Sequence, residues 1–245
     1  MIDLFSAPRF FAPGAPLSGE ITLSGEQARH ALRVLRLGKG DRLTVSDGAG
    51  REAACVITSA SGGALTAMAE DVRVSPREPA VKVRLYPSLS KGERYEYTLQ
   101  KATEIGVASI TPVVSNRCVA ALPEPPRLRR WRGIICEAAK QSRRAVLPEL
   151  REAVTFPKAA RLPVTGLRLF CCERESHPLG EILRGADIGG EVSILTGPEG
   201  GYTEEEEALA IGEGWLSVAL GGLILRCETA PVAAAVAVLY AAGCI

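Results

Sequence analysis

The sequence predicts an α/β protein in two parts: a small β-rich domain, then a larger domain with a mainly parallel sheet and helices on both faces. Three observations carry this prediction. Short alternating segments with tight turns fill residues 41–74. From residue 81 onward, apolar strand patterns alternate with helical ones, and βα alternation builds a parallel sheet. In the last third, two apolar strands each run into a glycine-rich turn. The first reads Ile194-Leu195-Thr196-Gly197-Pro198-Glu199-Gly200-Gly201, and the second reads Leu220-Gly221-Gly222-Leu223-Ile224-Leu225-Arg226.

Taken in order, residues 1–23 are strand- and loop-like. Ser24 with Gln27 three residues later matches a capping box, so a helix should start there. Arg29, Arg33 and Arg36 follow at i, i+4 and i+7, which puts them on one helical face. Such a face is either simply solvated or, with Lys39 and Arg42 close behind, a phosphate-binding surface. Asp47-Gly48 is a hairpin signal between strands, and residues 53–58 and 64–74 continue the β pattern. Residues 75–79, Ser-Pro-Arg-Glu-Pro, read as a linker. The boundary is therefore expected at 75/76, giving domains 1–75 and 76–245.

In the second part, residues 81–86 form a strand. Residues 91–105 form a helix with Tyr95, Leu99, Ala102 and Ile105 on one face, ended by Gly106. Strands follow at 109–114, 166–172, 191–196 and 215–220. A helix over 127–144 buries Leu128, Trp131, Ile134, Ile135 and Ala138. Thr203 with Glu206 caps a helix whose first turn is acidic, which suits the helix dipole. An alanine-rich helix over 230–242 closes the chain. Its apolar run is short and interrupted by Pro231, so it reads as a buried helix, not a membrane span.

Net charge is only +1. Nucleic-acid binding must therefore be argued from local clusters. The helix at 127–144 supplies the strongest one: Arg127, Arg129, Arg130, Arg132, Lys140, Arg143 and Arg144 against Glu137, a local excess of +6. The seven cysteines are odd in number and include no CxxC pair, so neither a disulfide framework nor a zinc site is expected. A reduced, cytoplasmic setting fits that usage, and no signal peptide is evident.

Glycine-rich turns at strand ends let a ligand approach the backbone, and ligands of α/β sheets sit beyond the carboxyl ends of strands. Two such turns suggest one pocket with two walls. Arg226 and Glu228 lie between an apolar strand and an apolar helix, where charges need a partner or a task. The GxGxxG, P-loop and GxSxG motifs are all absent. Neither His30 nor His177 stands in a metal-ligand spacing. The pocket should therefore hold a cofactor that carries the reactive group itself.

Five ordered motifs make the sequence resemble the RsmE family of ribosomal RNA small-subunit methyltransferases, in the SPOUT superfamily. They are Arg29-His30 with Val34-Leu35-Arg36 and then Gly40-Asp41; residues 100–107, Gln-Lys-Ala-Thr-Glu-Ile-Gly-Val, with Pro112 and Arg117; residues 137–142, Glu-Ala-Ala-Lys-Gln-Ser, with Arg144 and Pro148; Gly197-Pro198-Glu199-Gly200-Gly201; and Leu220-Gly221 with Ile224-Leu225-Arg226 and Glu228-Thr229-Ala230. The resemblance implies a PUA-like β-barrel over 1–75 and a SPOUT domain with a C-terminal trefoil knot over 76–245. It implies methyl transfer from S-adenosyl-L-methionine to uridine N3 in 16S rRNA, by a homodimer, without metal or membrane. The sequence departs from the family pattern at Leu223, where arginine is common, at Cys118, where serine is, and at Cys227, where threonine is.

The expected cofactor contacts are Leu195, Thr196, Gly197, Gly200, Gly201, Leu220, Gly221, Ile224 and Leu225. Arg226 is the candidate for stabilising the uracil anion. Glu199 is the candidate base or orienting group, with a structural cap of its own turn as the other reading. The candidate RNA contacts are Arg33, Arg36, Lys101, Arg117, Arg129, Arg130, Lys140, Gln141, Arg143 and Arg144, on the 16S rRNA or the small subunit. Two competing readings stand beside this one: a non-catalytic RNA-binding module, and a SPOUT methyltransferase for another RNA.

Overall fold

A computed structural model describes residues 6–61, 63–120, 122–174 and 176–245. The reading of residues 1–5 as strand or loop lies outside the described residues. The chain divides into two compact units: Met1–Glu78 with Ala139–Leu147, and Pro79–Ala138 with Pro148–Ile245.

The first unit contains strands β1 (Arg9–Phe11) and β2 (Glu20–Leu23), helix α1 (Gly25–Arg29), and strands β3 (Arg42–Ser46), β4 (Arg51–Ser61) and β5 (Ala64–Val74). One sheet runs β1-β3-β4-β5-β2, with β1 parallel to β3 and the other pairs antiparallel. The β3–β4 hairpin turns at Asp47-Gly48, and Gly48 adopts φ +75°. Phe10, Leu43, Val45, Ala53, Ile57 and Leu65 fill the core. Glu52 is fully buried, and Arg9 and Arg73 each reach its carboxylate at 2.7 Å. A buried carboxylate needs such pairing.

Three local expectations change here. Ser24 makes no capping bond; the Gln27 side chain instead accepts from the Phe11 N–H at 2.8 Å and donates back to the Phe11 carbonyl. A side-chain amide can thus complete an edge strand when its helix packs beside it. After α1 the backbone widens into a π-helical turn, His30–Val34, and Arg36 takes φ +55°. The three arginines therefore do not share one regular helical face. Residues 75–79 are no free linker: the Ser75 N–H donates to the Gly50 carbonyl, and Glu78 accepts from Arg144 and from the N–H groups of Ala145 and Val146.

The second unit is built from β6 (Lys82–Pro87), α2 (Glu93–Glu104), β7 (Ser109–Ile110), β8 (Val113–Val114), α3 (Pro125–Gln141), β9 (Glu149–Leu150), β10 (Val154–Thr155), α4 (Phe156–Ala160), β11 (Leu167–Cys171), β12 (His177–Pro178), α5 (Leu179–Gly185), β13 (Glu191–Thr196), α6 (Glu204–Gly212), β14 (Leu216–Ala219) and α7 (Ala230–Ala241). Seven strands form one parallel sheet, ordered β12-β14-β11-β13-β6-β7-β9. Successive residues of β13 feed opposite faces: Ile194 joins Leu99, Trp131 and Leu239, while Leu195 joins Phe156, Phe170 and Tyr202. Burial on both faces explains why the strands read as continuous apolar runs.

The strand expected over 109–114 is split in two. Its second piece, β8, leaves the main sheet to pair with β10. The helix expected over 127–144 ends at Gln141, because Arg143 turns to φ +60°. Among the described residues, no helix is long and apolar enough to cross a membrane, and no cluster of three His, Cys, Asp or Glu side chains could hold a metal ion.

Candidate active site

A cleft of about 760 Å³ opens beyond the carboxyl ends of β11, β13 and β14. These strands are neighbours in the sheet, so their end turns converge although the sequence separates them. Residues 197–202 make one wall and residues 218–228 the other, with Cys171 and Cys172 also lining the cleft and Arg94 and Arg117 contributing from outside the strand ends.

The first wall is held by the fold around it. The Thr196 carbonyl accepts from the Ser88 N–H at 2.9 Å, and the Gly201 N–H donates to Pro198 at 3.0 Å. Tyr202 is buried against Phe156 and Phe170, with ring centroids at 5.0 and 4.6 Å. Thr203 and Glu206 form the expected capping box at the start of α6, and the Glu206 carboxylate also accepts from the Asn116 N–H at 2.8 Å. Arg117 donates to the Gly200 carbonyl at 2.9 Å. A Cβ on Gly197 would stand 3.2 Å from the Tyr202 ring, and one on Gly200 3.2 Å from the Arg117 Cβ. Side chains at these two positions would crowd the wall itself.

The second wall is more open. Gly221 takes φ +128°, and a Cβ there meets nothing within 4 Å. Leu223 and Ile224 are 83% and 80% exposed. The wall is fixed where α7 begins: the Arg226 carbonyl accepts from the N–H groups of Thr229 and Ala230 at 2.8 and 2.9 Å. Pro231 sits in the first turn of α7, where its missing N–H costs no helical bond.

Both walls carry charge. Glu199 accepts from Arg94 Nη1 at 3.1 Å. Among the described residues, its carboxylate bonds no N–H of its own turn, so it is not the cap that one sequence reading allowed. Arg226 is exposed in the lining, with no ion-pair partner among the described residues. Cys227 lies 3.2 Å from a Glu228 carboxylate oxygen. Burial alone would raise the Glu228 carboxyl, but its own N–H, the Cys227 thiol, Arg94 and Arg226 together hold it below the usual range. Burial pushes Cys227 up to about 12, with the Glu228 bond adding to the rise, and pushes Cys171 up to about 12 as well. Neither thiol is a thiolate at neutral pH, so neither is poised as a nucleophile.

The cleft suits a ligand that has both a flat apolar part and charged groups. Apolar Val218, Leu220 and Leu225 line it beside backbone left bare by glycine, while arginines and glutamates stand along it. S-adenosyl-L-methionine has that chemistry: a flat adenine, a sulfonium and an amino-acid end.

Of the expected contacts, Gly197, Glu199, Gly200, Gly201, Leu220, Gly221, Ile224, Leu225 and Arg226 line the cleft. Leu195 and Thr196 do not. Leu195 is buried in the aromatic cluster below, and Thr196 is buried with its carbonyl on Ser88. Period-2 alternation sends those last strand residues into the layers. Sequence reading missed Arg94, Cys171, Cys172 and Arg174. The two cysteines were findable, since they end a predicted strand; nothing in the sequence ties Arg94 to Glu199.

The candidate RNA contacts scatter. Arg33, Arg36, Arg129, Gln141 and Arg143 are exposed. Arg117 lines the cleft, Lys101 pairs with Glu104 at 2.9 Å, and Arg130 pairs with Glu96 at 2.7 Å. Lys140 Nζ sits 5.7 Å from the centre of the Phe10 ring. Arg144 is a correction: it is 6% exposed, with its guanidinium 2.8 Å from Glu78. Its charge ties the 139–147 segment to Glu78 within the first unit.

Comparison with known proteins agrees with this architecture. A model of the RNA methyltransferase domain matches residues 76–239, and a model of the RNA methyltransferase PUA domain matches residues 23–67. Fold and cleft thus define an RNA methyltransferase with an N-terminal PUA domain. Ribosomal RNA small subunit methyltransferase E of Synechocystis is 35% identical over 227 residues, covering 91% of this chain and 74% of that protein. The structure of ribosomal RNA small subunit methyltransferase E from Neisseria gonorrhoeae, bound to S-adenosyl methionine, is similar with a TM-score of 0.87 at 33% identity, covering 94% of this chain and 96% of that one. A putative methyltransferase of Legionella pneumophila, in complex with bound SAM, gives a TM-score of 0.88 at 31% identity over 96% and 98% of the two chains. The chain belongs to the ribosomal RNA small subunit methyltransferase E family.

Proposed function

We propose that this protein transfers the methyl group of S-adenosyl-L-methionine to N3 of a uridine in 16S rRNA. The observation that carries the reading is the convergence of two glycine turns on one cleft, with Arg226 and Glu199 on opposite walls. The cofactor supplies an electrophilic methyl group on a sulfonium. The chain's task is alignment and charge. The bare backbone at Gly197, Gly200, Gly201 and Gly221 admits the cofactor, and Leu220, Ile224 and Leu225 shield it from water.

Uracil N3 must lose its proton to become a nucleophile. Arg226 stabilises the anion spread over N3 and its flanking oxygens. Glu199 takes the N3 proton or orients the base edge, and Arg94 holds that carboxylate in place. A Glu199→Gln enzyme with an unchanged pH–rate profile would assign it the orienting role. Arg33, Arg36, Arg117, Arg129, Arg130, Lys140, Gln141 and Arg143 contact the RNA in this reading, and Lys101 does so by exchanging Glu104 for phosphate. The working form is a cytoplasmic homodimer, and the second unit carries the trefoil knot of its superfamily.

The test is incubation with labelled S-adenosylmethionine and small ribosomal subunits from a strain lacking the mark, followed by mass-spectrometric mapping. A single methyl on uridine N3 of 16S rRNA is expected. A methyl on another RNA or atom would move the protein to a different substrate. RNA binding without transfer would make it a non-catalytic binding module, with Leu223, in place of the family's common arginine, the first position to restore.

A further inference from the structure

The first unit exposes two apolar side chains within a run of positively charged residues. Val34 is 67% exposed and Leu35 40% exposed. Between residues 29 and 39 the chain has four cations, Arg29, Arg33, Arg36 and Lys39, and no acid. All four are exposed, and among the described residues none is in an ion pair.

This segment is not a frayed loop. The π-helical turn His30–Val34 closes through the Leu35 N–H to the His30 carbonyl at 3.1 Å and the Leu37 N–H to the Ala31 carbonyl at 3.0 Å. The preceding helix is tied to β1 by the two bonds between Gln27 and the Phe11 backbone. Ala28 and Ala31 are fully buried beneath it. His30 meets the Phe10 ring edge-on at 6.3 Å, and Lys140 covers the same ring. Arg36 is held at φ +55°, a conformation that costs a non-glycine residue energy and that only the surrounding fold maintains. π turns and strained non-glycine residues both concentrate at functional positions. Two branched apolar side chains are thus displayed to water by a hydrogen-bonded, well-packed frame.

We propose that Val34 and Leu35 form an apolar wedge that packs against an unpaired, unstacked base of the RNA, while the arginines around them hold the flanking phosphates. This rests on the reading of the protein as an RNA methyltransferase. The charge selects a polyanion. The apolar pair selects, among polyanions, one that offers a base face, because duplex RNA presents phosphates and a shallow minor groove and keeps its base faces stacked. Aliphatic side chains serve as wedges against base steps in other nucleic-acid complexes. The unit therefore discriminates loop from duplex through Val34 and Leu35, and takes its affinity from Arg29, Arg33 and Arg36.

The test uses the full chain and two synthetic RNAs of the same composition: a hairpin with 2-aminopurine in its loop, and a fully paired duplex. The wild type is expected to prefer the hairpin and to change the 2-aminopurine emission on binding. Val34→Ser/Leu35→Ser should bind the hairpin roughly tenfold more weakly, the scale of losing the burial of about one aliphatic side chain, with the duplex affinity and the salt slope unchanged. Arg33→Ala/Arg36→Ala should weaken both RNAs and flatten the slope of log affinity against log salt by roughly 1.4 for single-stranded contacts. All four side chains are exposed, so the melting temperature checks that each variant folds. Unchanged hairpin preference in Val34→Ser/Leu35→Ser overturns the proposal, as does an unchanged emission. Failure of the methylation assay with hairpin preference intact would remove the activity and leave the wedge standing. Methylation with no hairpin preference would do the reverse.

Discussion

Residues 197–202 of the cleft are held by a buried tyrosine, a capping box, a strand-end carbonyl and Arg117, whereas, among the described residues, 220–225 are fixed only where β14 enters and α7 begins. Both turns follow apolar strands and both are rich in glycine, so they look alike in sequence. They differ in what their glycines permit. Gly197 is small because the Tyr202 ring lies against it; Gly221 is glycine because φ +128° excludes a side chain. One wall is a fixed template. The other is an open strap with 80% or more of Leu223 and Ile224 in water.

Substitutions can break this contrast. The largest effect is expected for Arg226→Ala on the open wall. Single-turnover methyl transfer should fall by about 10²–10³, the range for losing one group that stabilises developing negative charge. Cofactor affinity by calorimetry should stay near wild type, and a wild-type rate would end the assigned role. Gly221→Val comes next. It forces a β-branched residue into a forbidden conformation without touching the core. Affinity for S-adenosylmethionine should drop by about a hundredfold, as small misplacements in a site do, while the protein remains folded. Gly197→Val should lose affinity too, but its side chain drives into Tyr202, so overpacking should also remove about 1–3 kcal/mol of stability. Equal stability losses for the two valine variants would erase the distinction between the walls.

Smaller effects sharpen it. Thr203→Ala removes one half of the capping box on the fixed wall and should destabilise by about 1 kcal/mol, read as a lowered denaturation midpoint with the cofactor-binding residues intact. Arg94→Ala breaks an exposed ion pair, so stability should change by less than about 1 kcal/mol. Its effect should appear in turnover instead, because Glu199 loses the group that positions it. No change in turnover would detach Arg94 from the site.

The boundary between sequence and structure runs through particular residues. The strand at 191–196 and the Thr203–Glu206 capping box appear where the sequence places them, because strand alternation and helix capping are settled within a few neighbours. The Ser24–Gln27 box used the same rule and does not form, because Gln27 found Phe11, sixteen residues earlier, as a partner. The arginine-rich stretch at 127–144 shows the same limit. Its sequence carries a net excess of +6, yet Arg130 pairs with Glu96 and Arg144 with Glu78.

By itself, then, the sequence determined the βα alternation of the second unit, the β character of the first, and the two glycine turns that form the cleft. Periodicity and turn chemistry are local and leave their mark residue by residue. Only the tertiary structure decided that β11, β13 and β14 lie side by side so that their ends make one site. It also turned Leu195 and Thr196 inward, set Arg94 against Glu199 across 105 positions, and widened the turn that exposes Val34 and Leu35. Each of these depends on which distant surfaces pack together, and that choice is made by the burial of the whole core, not by any one stretch of chain.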